Sequence, residues 1–342
     1  MKLVLIFLLL MIVLHFGIKK FIKFLNNKSV IKSYDAIQKI HKGYIPRFGG
    51  ILFFIVCNIY FLIFYNLQYE NSLFLIIPLV FICLFEDFHI HTNVYLRLII
   101  VFLTSFSLLT FNFSYFPEID FPFISEILFN NYMSAIFFSI CMVSLVNGMN
   151  MIDGTNGMLC LNVYSILGSL LILFPGNFSF LTLPMILDSM VILLFFLILN
   201  YRNKLFFGDF GSYFFGLILG YLIIHHFTNS FLMTWNAMII LIYPVYELTH
   251  TIFRRIIFRA NIFKADSFHL HSLIYKSLLS RDRSQLYSSN MTSLILLPLI
   301  FYPPLLFFIF DNVVIDYPIL FIGLYILIYN VFYLYFYANT TK

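Results

Sequence analysis

The chain has 342 residues, 62% hydrophobic, 20% aromatic and 10% charged, with a formal net charge of +5. A soluble domain carries about 25% charged residues, so this composition excludes one and points to a membrane protein. The net charge informs only once it is mapped onto the connections.

Crossing a ~30 Å hydrocarbon core takes about 20 mostly apolar residues as a helix, because every backbone polar group must be satisfied within the segment. Eleven segments meet this demand in chain order: 3–18, 49–65, 71–86, 94–110, 133–149, 157–174, 183–200, 210–228, 235–253, 292–310 and 313–337. The first is followed by Lys19, Lys20 and Lys23 rather than by a small-residue cleavage site, and so reads as a retained helix. Cys57, Cys83, Cys141 and Cys160 lie inside apolar segments with no CxxC spacing, which fits small buried hydrophobes rather than disulfides or a zinc site. With no low-complexity linker and no fixed-period repeat, residues 1–342 read as one integral domain.

Lysine and arginine are retained on the cytoplasmic side during insertion, and here they are one-sided. Connection 19–48 carries Lys19, Lys20, Lys23, Lys28, Lys32, Lys39, Lys42 and Arg47; connection 254–291 carries Arg254, Arg255, Arg259, Lys264, Lys276, Arg281 and Arg283. Arg97, Arg202, Lys204 and Lys342 stand at ends of the same parity, whereas Glu70, Glu118, Asp120, Glu126, Asp311 and Asp316 occupy the intervening connections. The expected fold is an all-α polytopic membrane bundle of about 11 transmembrane helices, N-terminus outside and C-terminus cytoplasmic. That topology gives Glu86-Asp87, Asn147 to Asn156, Gly208-Asp209 and His269/His271 one address, the cytoplasmic face.

Three acidic sites stand at helix ends: Glu86 and Asp87 in FEDFH, Asp153 in MIDGTNG and Asp209 in FFGDFGS. Carboxylates at a membrane boundary are costly, and two of them ~5 Å apart repel by about 3 kcal/mol at an effective dielectric of 20, so a divalent cation is their natural partner. Hard oxygen donors favour Mg²⁺ or Mn²⁺ over zinc. Gly154 and Gly208, beside two of the acids, would let backbone approach a phosphate closely. A lone acid at a helix end is usually a solvated cap; three on one face, with amides and glycines, are a stronger pattern.

The basic half of such a site would come from HKGYIPRFGG at 41–50 and from connection 254–283, since phosphates call for lysine and the guanidinium fork. Positive-inside retention accounts for most of these cations, but not for Pro46-Arg47 beside Gly49-Gly50, nor for FHLHSL at 268–273. Histidines at i and i+2 do not share a helical face, so His269 and His271 are expected on an extended or irregular loop, placed to grip a pyrophosphate or assist a metal. His15 and His225-His226 have no acidic partner nearby in sequence and read as structural; His89 and His91 are peripheral. Trp235 and the tyrosines fit an interfacial belt.

Collectively these blocks, in order over residues 41–274, resemble the polyprenyl-phosphate N-acetylhexosamine-1-phosphate transferases, glycosyltransferase family 4. HKGYIPRFGG resembles the family's first block, and Glu86-Asp87 with Arg97 ten residues on resembles its paired aspartates and arginine. NGMNMIDGTNGM is similar to N-x-x-N-x-x-D-G-x-D/N-G, GDFGS to GD-x-GS, and HLHSL, after the basic Arg254-Arg255, to the final histidine motif. Departures are Glu86 and Asn156 where aspartates are usual or frequent, Glu247 for an aspartate, Phe210 for a small residue, and Ser272 for a third histidine.

The resemblance implies a groove open to water where Mg²⁺, with Mn²⁺ as an alternative, bridges a UDP-sugar diphosphate and a polyprenyl phosphate attacks the β-phosphorus, expelling UMP. It implies Asp209 as metal ligand with Asp153, and Asp87, with Glu86 beside it, as base or orienter for the lipid phosphate. Asn147, Asn150, Asn156 and Asp153 would hold nucleotide or metal-bound water; His269, His271, Arg47 and Lys42 would contact phosphates. The implied partners are UDP-N-acetylhexosamine, undecaprenyl phosphate and the bilayer, with no nucleic acid; a homodimer stays open. The implied location is the bacterial inner membrane, with the site facing the cytoplasm. The branch that starts O-antigen-type glycans fits better than phospho-N-acetylmuramoyl-pentapeptide transferase, which resembles ten spans with a denser histidine block. A secondary transporter, the reading from another class, would hold its acids near the midplane on broken helices.

Overall fold

A computed structural model describes residues 47–65, 75–87, 92–128, 130–178, 182–263 and 266–340. Segment 3–18, Lys42, His89 and His91 fall outside the described residues. Every regular element among those described is helical. They are α1 (Gly49–Tyr65), α2 (Ile77–Asp87), α3 (Val94–Asn112), α4 (Pro122–Ile127), α5 (Asn131–Ile152), α6 (Met158–Leu173), α7 (Thr182–Tyr201), α8 (Gly208–Thr228), α9 (Thr234–Ile240), α10 (Ile242–Ile257), α11 (Leu270–Leu279), α12 (Gln285–Ile295), α13 (Leu297–Ile300), α14 (Tyr302–Asp316) and α15 (Pro318–Thr340).

By length and composition α3, α5, α7, α8 and α15 are long and apolar enough to cross a membrane, and α1 and α6 are shorter apolar helices. With large apolar side chains such as Ile99, Leu103, Leu194 and Leu327 facing outward, this is the pattern of a multi-pass membrane protein. Two expected segments are broken. Segment 235–253 divides at Leu241 into α9 and α10, because Pro244 has no N–H for the Ile240 carbonyl. Segment 292–310 becomes α12, α13 and α14, with its breaks beside Pro298 and Pro303-Pro304. Hydrogen bonds run into and out of each break residue, Leu241 N–H reaching Ala237 O and Val245 N–H Leu241 O, Leu296 N–H Thr292 O and Ile300 N–H Leu296 O, Phe301 N–H Leu297 O and Leu305 N–H Phe301 O, so these are kinks within one apolar run.

α5 and α8 form the centre. They run antiparallel, since Gly216 meets Val146 and Gly220 meets Met142, and small residues let the backbones close in. α5 also packs on α3 and α10; α8 takes α1 and α2; α15 lies on α11 and α9, and α14 on α6.

Contacts sort the connections into two ends. At one, the Tyr115 hydroxyl donates to Asn229 at 3.3 Å, the Thr234 N–H to Asp120 at 2.6 Å, and Phe174 stacks on His226 at 5.2 Å. At the other gather Arg47, the end of α2, Asp153-Gly154, the residues before α8 and the residues before α11. The four polar connections thus share one end of the bundle.

The tightest crossing is α1 on α8, where a methyl on Gly50 would fall 2.2 Å from Gly211 Cα. Backbone cannot give way there as a side chain can. Gly50→Ala should cost about 1–3 kcal/mol through overpacking, read as a lower thermal midpoint in detergent. Gly323→Ala on α15, with nothing within 4 Å of the added methyl, should leave the midpoint unchanged or slightly raised.

Candidate functional site

Before any cavity forms, three helix ends are tied together. The first N–H groups of a helix have no partner inside it. Gly49 and Gly50 at the start of α1 donate to the Phe206 and Phe207 carbonyls, at 2.8 and 2.9 Å. α8 has no side-chain cap of its own, and Asp87 at the end of α2 supplies one. Its Oδ1 accepts the Asp209 N–H at 2.8 Å and its Oδ2 the Phe210 N–H at 3.1 Å. Gly208 sits at φ +74, and a methyl there would fall 2.1 Å from Arg47 O and 2.5 Å from Asp87 Oδ1, so the junction accepts only glycine.

That junction sets the Asp209 side chain. Arg47 Nη2 lies 3.6 Å from Asp209 Oδ1, and Asn150 Nδ2 donates to the same oxygen at 3.3 Å. Asp153, cap of α5, stands in the same field: burial pushes its carboxyl well above the usual range, Arg47 opposes this, and Asp209 and Asp87 add to it.

The histidine pair arrives from the other side. His269 is the extended N-cap of α11 and His271 lies in that helix's first turn, so the expected irregular loop covers only the first of the two. The rings stack at 5.5 Å. Gly154 has no Cβ because His271 Nε2 would be 2.2 Å from it. Burial first, then the neighbouring His269, lowers the His271 imidazole to about 4, so it is neutral at physiological pH, and its Nδ1 is buried without a protein partner. His269 Nδ1 meets the buried Glu247 at 3.2 Å. Asp266 clips the preceding connection by bonds to Arg254 at 3.0 Å and Arg255 at 2.9 Å. Burial raises the Asp266 carboxyl, but the Phe268 N–H and the two guanidinium groups outweigh it and hold the group at about 2.

These side chains enclose a cavity of about 500 Å³, within the ordinary range for a small-molecule site. Of the residues singled out in the sequence, Arg47, Asn147, Asn150, Asp153, Asp209, His269 and His271 line it. Three do not. Asp87 is committed to the α8 end. Glu86 Oε1 accepts the Thr92 N–H at 2.7 Å and the Thr92 hydroxyl, and faces Arg97 at 3.7 Å, holding the start of α3. Asn156 is fully buried elsewhere, donating to Asn203 at 2.6 Å and Asn290 at 2.8 Å, and so joins α6 to α12.

Arg97, Arg255 and Tyr213 also line the cavity. Tyr213 follows Asp209 by four residues on α8, a spacing that shares a helical face; the two arginines belong to motifs noted in the sequence, without a role assigned there. Val94, Leu98, Val143, Leu248 and Ile252 add apolar surface to the same lining.

Among the described residues no three His, Cys, Asp or Glu side chains close on one point as a full metal cage would require. Mg²⁺ instead takes one or two carboxylates and completes its shell with water and substrate phosphate oxygens. Asp209 and Asp153, with Asn150 beside them and an unmet electrostatic demand at Asp153, fit that open kind of site.

Residues 70–226 match the family model described as glycosyl transferase family 4. A comparison with curated proteins finds no match. The matched stretch contains Glu86, Asp87, Asn147 to Asn156 and Asp209, and ends before Glu247 and the histidine pair.

Removing the Asp87 carboxylate strands one buried and one partly buried N–H group, whereas Asp209 exposes its side chain to the cavity. Asp87→Ala should therefore cost about 2–4 kcal/mol of stability and Asp209→Ala less than about 1 kcal/mol, compared by denaturation midpoints of the purified proteins.

Proposed function

The chain belongs, through residues 70–226, to glycosyl transferase family 4, and from that premise we propose that it transfers an N-acetylhexosamine 1-phosphate from a UDP-sugar to undecaprenyl phosphate. The family membership carries the coarser statement, a transferase of sugar phosphate to a polyprenyl phosphate. The observation behind the finer one is the cavity itself, whose lining combines two carboxylates, three arginines and two histidines with apolar side chains.

A diphosphate and a cation need such mixed charge, and an isoprenoid chain needs the apolar surface. Arg47, Arg97 and Arg255 receive phosphate oxygens, bidentately where the geometry allows; Lys42, on the same connection as Arg47, adds to them. Asn147 and Asn150 hold the nucleotide or water. Asp209 and Asp153 hold Mg²⁺, or Mn²⁺, which when bound neutralises charge on the diphosphate. His269 and His271 contact phosphate, the neutral His271 as a hydrogen-bonding group rather than a cation.

In the reaction a lipid phosphate oxygen attacks the β-phosphorus, a new P–O bond forms, the bond to the α-phosphate oxygen breaks, and UMP leaves. The lipid phosphate is already largely ionised at neutral pH, so alignment and charge neutralisation do most of the work. No general base is then required of Asp87, whose two oxygens are already engaged; it positions Asp209, and Glu86 positions Arg97. The one-sided basic connections support a site on the cytoplasmic face of a bacterial inner membrane. Eleven apolar segments and Ser272 in the histidine block support the O-antigen-type branch over peptidoglycan synthesis.

Purified protein given UDP-N-acetylhexosamine, Mg²⁺ and undecaprenyl phosphate should release UMP, lose that activity to a chelator and regain it with Mg²⁺. Asp209→Asn should lower turnover by about 10²–10³-fold, and undiminished activity in that variant would remove Asp209 from the metal site. A panel of UDP-N-acetylglucosamine, UDP-N-acetylgalactosamine and their 6-deoxy relatives identifies the sugar.

A further inference from the structure

Glu247 is fully buried, and among the described residues no lysine or arginine pairs with it. An ionisable carboxylate this deep is costly unless it serves something. Three donors converge on it. Tyr329, on α15, donates its hydroxyl to Oε2 at 2.6 Å; the Leu270 N–H reaches Oε1 at 3.3 Å; His269 Nδ1 lies 3.2 Å from the same oxygen. Thr251 Oγ1 stands 3.3 Å from that ring nitrogen as well.

A carboxylate with two donors already on it offers only acceptance, so the proton of the imidazole sits on Nδ1, while Nε2 stands 3.8 Å from Asp266 Oδ1. His269 lines the cavity whereas Glu247 and Tyr329 do not. We propose that Glu247, backed by Tyr329, is a positioning residue: it holds Nδ1–H, fixes the ring plane of His269 and sets where the Nε2 edge, an acceptor in that tautomer, meets a hydroxyl or water proton at the substrate. This rests on the transferase reading and deepens it, because it makes α15, which lies outside the family match at 70–226, part of the working site. The first turn of α11 is held by the same carboxylate through Leu270, so the tautomer and the helix start are set together.

The alternative is a fold anchor with no link to turnover, and coupling separates the two. Turnover and KM are measured per folded protein, quantified by size-exclusion in detergent, for wild type, Glu247→Gln, Glu247→Asp, Tyr329→Phe, His269→Ala and the double variant Glu247→Gln/His269→Ala. Outer-shell partners of a functional histidine are worth about 10–100-fold, so Glu247→Gln should lose ~10–100-fold in kcat with little change in KM for the UDP-sugar. Glu247→Asp should recover part of that loss, and Tyr329→Phe should fall by severalfold. In the His269→Ala background the Glu247→Gln substitution should have no further effect. Wild-type turnover in folded Glu247→Gln, or a loss that adds in full to that of His269→Ala, overturns the assignment. If Glu247→Gln yields no folded protein, Tyr329→Phe decides alone by the same two criteria. A wild-type protein that releases no UMP from any UDP-N-acetylhexosamine overturns the transferase reading itself, which an inert variant beside an active wild type does not.

Discussion

Backbone N–H groups at the start of a membrane helix have no water to turn to, and their need for acceptors organises this protein. At the start of α1 the acceptors are the carbonyls of Phe206 and Phe207; at the start of α8 the acceptor is the Asp87 carboxylate. Each pairing joins elements far apart in sequence, and together they bring Arg47, Asp87 and Asp209 within one junction. The carboxylate also complements the positive end of α8. Asp209, whose own N–H is held this way, then has its side chain turned to Arg47, Asn150 and the cavity.

The cavity has two polar walls of different origin. One comes from the knot of helix ends and carries Arg47, Asp209 and Asn150; the other comes from the kinked α10 and the start of α11 and carries Arg255, His269 and His271. They meet where Gly154 touches His271, next to Asp153. Acids and guanidinium groups are close enough to influence one another, with the Asp153 carboxyl driven upward by burial. The proposed ligands, a phosphate-bearing substrate and a divalent cation, would bring charges of both signs to this lining.

The membrane class, the helical fold and the convergence of four polar connections were legible in the sequence, because hydropathy and lysine-arginine parity report directly on burial and topology. The start of α1 at Gly49 agrees with the start of the apolar segment. Proline kinks at Pro244, Pro298 and Pro303 were not drawn from the apolar pattern, which runs through them. Side-chain roles were less legible still. Asn150 and Asn156 belong to one motif, yet the turn after Ile152 carries the second away to Asn203 and Asn290. Asp87 looked like a reactive acid because its partners, two backbone N–H groups on α8, leave no trace in composition. Arg97 and Arg255 stood out only as parts of motifs and carried no assigned role, and α15 gave no signal in its apolar run that Tyr329 touches the site through Glu247.

A methyl group on Gly154 would fall 2.2 Å from His271 Nε2, so the buried ring would have to move to admit it. Two segments more than a hundred positions apart are thereby machined to one another like a key blank and its slot. An exchange of the histidine segment for that of a distant relative will fit only if the turn carrying Gly154 travels with it, so the two form a single heritable unit despite the helices between them.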